Sequence, residues 1–104
     1  MLHLRISSPR HLTPAVVEVL ESESTVSSLA VLQGACVRPQ GDVILADMTR
    51  ELANEIIDRL RATGVQEEGS IQIEPVRTWI SRPGLEAEQL APGAESDAVV
   101  WADV

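Results

Sequence analysis

The stretch from Gly41 to Gly64 constrains this chain most. Asp42-Val43-Ile44-Leu45-Ala46-Asp47 is an apolar run bracketed by two acids and preceded by a turn glycine. Runs of this length and composition form strands buried on one or both faces. Thr49 is then placed to cap a helix over Thr49–Thr63, whose apolar residues Leu52, Ala53, Ile56, Ile57 and Leu60 recur at near 3.6-residue spacing. Gly64 supplies the left-handed residue that ends it. A strand followed by an amphipathic helix exposes two apolar surfaces, and the rest of the chain has to cover them.

The flanking segments read accordingly. Leu2, Leu4 and Ile6 alternate with His3 and Arg5, the pattern of a half-buried strand. Thr13-Pro14 opens a first helix, with Thr13 as the cap and Val16, Val17, Val19 and Leu20 as its apolar face. Val26 to about Arg38 forms a second strand with Gly34 as a bulge, and Arg38-Pro39-Gln40-Gly41 turns it into the third as a type I turn. Ser70 to Val76 alternates again and stops at Pro75. The order β-α-β-β-α-β predicts a ferredoxin-like α+β fold: a four-stranded antiparallel sheet with two helices on one face. That domain covers residues 1–80. Residues 81–104 hold one arginine and five acids among Ala, Pro and Gly, and read as an acidic, mobile tail in which only Ala98-Val99-Val100-Trp101 is apolar enough to dock.

Composition excludes several functions. Aromatics make up 2 % of the chain, two Trp with no Phe or Tyr, so there is no stacking platform for single-stranded nucleic acid. Sixteen acids against eight arginines give a formal charge of −8, which repels phosphate backbones. No nucleic-acid partner is expected. Cys36 is the only cysteine, so neither an internal disulfide nor a cysteine metal cage can form within one chain. His3 and His11 lack a second ligand at metal spacing, and nothing near Cys36 supplies a base. The residues predict no enzyme, no catalytic residue, no cofactor and no metal.

One cluster has the parts of a ligand site. Ser7, Ser8, Arg10, His11 and Thr13 gather at the first strand-to-helix connection. Hydroxyls, a guanidinium and free backbone N–H groups at a helix start suit a small anionic ligand. The same residues also make an ordinary polar loop. Arg38 on the hairpin and Trp79 after the fourth strand are weaker candidates, Trp79 as a core lid or an interface anchor. The second helix presents Glu51, Glu55, Asp58, Arg59 and Arg61 to solvent.

Several segments carry a resemblance that spans nearly the whole chain: Met1-Leu2-His3-Leu4-Arg5, Leu29-Ala30-Val31-Leu32-Gln33-Gly34-Ala35, Arg38-Pro39-Gln40-Gly41-Asp42-Val43, Ala53-Asn54-Glu55, Gly69-Ser70-Ile71 and Ala98-Val99-Val100-Trp101. In these the chain resembles the amino-terminal soluble region of a bacterial and archaeal membrane-protein family, the uncharacterised hydrophobic domain family (domain of unknown function 389). The resemblance implies a non-enzymatic regulatory or assembly domain on the cytoplasmic side of a multi-pass membrane protein such as a transporter, soluble as this fragment. It also implies that membrane helices follow soon after Trp101, beyond Val104. The alternative is a free-standing small-molecule sensor resembling amino-acid-binding regulatory domains. Two helices cover only one sheet face, and His3 and Arg5 are the only polar guards on the first strand. The domain is therefore expected to self-associate.

Overall fold

A computed structural model describes residues 1–91. Four strands, β1 (Leu2–Pro9), β2 (Val26–Cys36), β3 (Gly41–Met48) and β4 (Ser70–Pro75), form one sheet in the order β2-β3-β1-β4. Every neighbouring pair is antiparallel. Helices α1 (Thr13–Glu21) and α2 (Ala53–Ala62) connect β1 to β2 and β3 to β4, which is the ferredoxin-like α+β arrangement. β1 lies inside the sheet, so His3 and Arg5 guard no edge; the edges are β2 and β4.

The register explains the alternation in the sequence. Leu4 and Ile6 stand beside Ala46 and Ile44 on β3, and beside Ile73 and Ile71 on β4. Leu29 and Val31 of β2 extend the same face. Val16 and Leu20 of α1, and Ala53, Ile56 and Leu60 of α2, close over it to form the core. The opposite face carries His3, Arg5, Val43, Leu45, Gln72 and Leu32, because directly paired residues share a face. There His3 Nδ1 lies 2.7 Å from Asp47 Oδ1, its partner in the register.

Three boundaries differ from expectation. Thr49 is buried at 1 % exposure at the end of β3, and α2 begins at Ala53 after a turn closed by the Ala53 N–H on the Arg50 carbonyl. Gly64 does end α2, with φ +84°, but a one-turn helix α3 (Val65–Glu68) follows directly and buries Val65. Gly34 does form a bulge, at φ +67°, where the β2–β3 register shifts between Leu32 and Cys36.

The fourth difference is larger. The segment assigned to a tail from residue 81 forms a helix, α4 (Arg82–Leu90), which packs mainly against β2 and β3. Ser81 caps it, its Oγ accepting from the Gly84 N–H at 2.9 Å, and Pro83 sits in the first turn, where its missing donor costs nothing. Gly84, Ala87, Glu88 and Ala91 form its buried stripe at i, i+3, i+4 and i+7. Trp79 lies against this stripe as a lid, 8 % exposed. Glu88 is 1 % exposed, with Oε1 3.4 Å from the Met1 amino group. The docking expected of Ala98–Trp101 lies outside the described residues. Among the described residues no helix is long and apolar enough to cross a membrane.

Candidate functional site

The connection from β1 to α1 meets the start of β3, because Ser8 pairs with Asp42 and Pro9 with Gly41. Asp42 has the same parity as Ile44, Ala46 and Met48, so its side chain enters the helix-covered side of the sheet, and the residue is 5 % exposed. Both of its oxygens are occupied. Thr13 Oγ1 donates to Oδ2 at 2.6 Å, and the Gly34 N–H donates to Oδ1 at 2.8 Å. Thr13 Oγ1 also lies 3.1 Å from Ser8 Oγ and 3.4 Å from the Pro9 carbonyl. A hydroxyl has one proton, and the short contact to a carboxylate outcompetes the two longer neutral ones. Ser8 Oγ in turn donates to the Pro9 carbonyl at 3.0 Å.

The Thr13 hydrogen bond, and then the Gly34 N–H, hold the Asp42 carboxyl below its ordinary value. The Arg10 charge adds to this, while partial burial opposes it. Asp42 is therefore an ionised acceptor near neutral pH. It ties α1, β3 and the β2 bulge together.

Two open clefts flank this tie. One of about 380 Å³ is lined by Arg10, Gln33, Gly34 and Asp42, and one of about 530 Å³ by Pro9, Arg10, His11 and Gln40. Arg10 is the wall between them. Of the residues predicted for a ligand site, Ser8, Arg10 and Thr13 converge here, but the Thr13 hydroxyl and the Gly34 amide already face a carboxylate. The donors left toward solvent are Arg10, His11, Gln33 and Gln40. His11 shares the outer cleft, and its Nε2 lies 3.3 Å from Glu68 Oε1. Ser7 does not join them: it points to the other face, paired with Val43 and Ser70. Thr13 is not the cap of α1 either; Leu12 occupies that position without a side-chain bond.

Asp42 and Gly34 were missed as members of this cluster. The signal was present in the parity of Asp42 with Ile44 and Ala46, which aims the carboxylate inward. Among the described residues no group of three His, Cys, Asp or Glu could hold a metal ion. Cys36 is half-buried at the end of β2, opposite Gly41, and Arg38 is exposed on the hairpin. In comparisons with known proteins no family model matches the chain, and no curated protein is significantly similar to it.

Proposed function

We propose that this chain is a non-enzymatic assembly or regulatory domain that works by self-association on the cytoplasmic side of a multi-pass membrane protein such as a transporter. The observation that supports it is the sheet edge at β2: residues 30–35 are all exposed, Val31 and Leu32 at 38 % and 43 %, with no charged side chain among them. An exposed, uncharged edge strand is a surface for another chain. The best-defined polar cluster, around Asp42, has the hydrogen bonding of a structural tie rather than of a reacting group. The membrane attachment rests on the resemblance described above.

Two measurements test the reading. Sedimentation at micromolar concentration and about 0.15 M salt, where charges are screened beyond about 8 Å, is expected to give a mass above one chain. A monomer that persists to about 1 mM rejects self-association, since binding weaker than that is worth only about 4 kcal/mol. For the membrane attachment, the reading frame past Val104 is expected to encode several apolar stretches of about twenty residues. A stop codon without them removes that part.

A second reading is a small-molecule sensor, favoured by the position of Arg10 between two clefts. A small anion would use Arg10 with His11 and Gln40, on the side away from Asp42. Thermal-shift screening of metabolites and anions tests it, because a ligand at a hundred times its Kd adds about 2.7 kcal/mol of stability. If no small acid shifts the wild type, or if a shift survives Arg10→Ala, the sensor reading fails.

A further inference from the structure

We infer that β2 pairs with β2 of a second copy, antiparallel about a two-fold axis through Ala30, so that two four-stranded sheets join into one. This rests on the self-association proposed above and names its surface.

The two edges of the sheet differ. β4 is six residues long and carries Glu74 and Pro75, a charge and a residue without a ladder donor. Those are the features that keep an edge unpaired. β2 is eleven residues long and has neither proline nor charge, in a chain of which 23 % of residues are charged. Two open edges would let β2 of one copy meet β4 of the next and grow without end. One open edge and one guarded edge allow only β2 against β2, which closes after two copies.

Charge selects the same occupant. Each copy carries a net −8. A basic partner would be drawn to the acids of α1 and α2, such as Glu18, Glu21, Glu55 and Asp58, and not to a neutral strand. The neutral strand is where two copies of this acidic chain approach with least repulsion.

The register follows from the bulges. β2 pairs regularly with β3 only from Ser28 to Leu32, between a register shift at Val26/Ser28 and another at Leu32/Cys36. The midpoint of that straight segment is Ala30. A two-fold axis perpendicular to the sheet requires paired residues to share a face, so odd must meet odd and even must meet even. Centring on Ala30 meets this condition: Ala30 faces Ala30, Leu29 faces Val31 on the side of the core, and Ser28 faces Leu32 on the other.

Charge at position 30 tests the register. Wild type is expected to sediment as a dimer, Ala30→Lys and Ala30→Glu each as monomers with wild-type circular dichroism, and their equimolar mixture as a dimer again. A dimer unaffected by either change overturns the β2 surface while self-association stands. A mixture that stays monomeric overturns the axis through Ala30, and polydisperse larger species overturn closure. A wild-type monomer to about 1 mM overturns this inference and the self-association together. If a charged variant fails to fold, Ala30→Cys in a Cys36→Ser background replaces it. Facing Cα atoms in an antiparallel pair lie about 4.5–5.5 Å apart, within disulfide range. Mild oxidation is then expected to cross-link Ala30→Cys and not Gln72→Cys in the same background; the reverse, or no cross-link, rejects the pairing.

Discussion

The Thr13 hydroxyl donates to Asp42 Oδ2 at 2.6 Å, fastening the first turn of α1 to the start of β3 across 29 positions of sequence. The other oxygen of the same carboxylate takes the Gly34 N–H and fixes the β2 bulge. One ionised side chain thus sets the relative placement of three elements, and its bonds favour the charged form.

That preference gives the protein a pH signature. The folded-state pKa of Asp42 lies below its ordinary value of 3.8, so the unfolded chain binds the proton more readily. The stabilisation is fully present above the ordinary value and is lost as the pH falls through the lowered one. Asp42→Asn removes it. Urea midpoints measured from pH 7 to about pH 2 should fall more steeply for wild type than for Asp42→Asn, with the difference confined to the region below about pH 4. Thr13→Val, which removes the largest cause of the lowering, should fall between the two. Parallel curves would show that Asp42 titrates alike in both states.

Core packing predicts a contrast on α2. Ile56 is fully buried, whereas Glu55 is exposed. Ile56→Ala should cost about 2–5 kcal/mol in a urea titration, through lost transfer free energy and the cavity left behind. Glu55→Ala should stay within about 0.5 kcal/mol. Equal losses would mean that the helix presents a different face.

Two glycines should respond differently to one added methyl. At Gly41 a Cβ would fall on the Ser8 carbonyl oxygen and lie 2.9 Å from both the Arg10 nitrogen and Pro9 Cα. These are backbone atoms, which no rotamer change can move. Gly41→Ala should therefore cost about 1–3 kcal/mol or more, and should loosen the Asp42 tie beside it. At Gly64 nothing lies within 4 Å, and only the left-handed φ of +84° resists, so Gly64→Ala should cost about 1–2 kcal/mol. Unfolding curves that rank Gly64→Ala as the more damaging would contradict the close approach of β3 to β1.

The strands, the two connecting helices and their order were legible because each carries a period. Leu2, Leu4 and Ile6 alternate, Ile56 and Leu60 recur one helical turn apart, and Gly64 marks a stop. The βαββαβ order leaves few topologies. What stayed hidden has a common physical cause: the contacts are made by residues whose type suggests solvent. Asp42 reads as a turn flank by composition and as an inward side chain only by parity. The buried stripe of α4 consists of Gly84, Ala87, Glu88 and Ala91, three small residues and an acid, while Leu90 of the same segment is 65 % exposed. No hydrophobic period could show it, because close approach through small residues takes the place of large apolar side chains.

The last prediction concerns that helix. Trp79, Ala87 and Ala91 are buried but stand apart from the main core cluster, so α4 docks as a unit of its own. Amides of Arg82–Leu90 should exchange more slowly than in an unstructured chain, although less slowly than those of α2 around Ile56 and Leu60. Ala87→Asp places an unpaired charge at a position only 4 % exposed. Releasing the helix exposes less apolar surface than opening the whole domain does, so undocking should relieve that charge first. Exchange at 82–90 should then become fast while α2 keeps its protection. In a Trp101→Phe background the emission of Trp79 should move to longer wavelength as its ring enters water. If wild-type residues 82–90 exchange as fast as a free peptide, α4 does not hold in solution, and the acidic segment from Ser81 behaves as the mobile tail that its composition suggests.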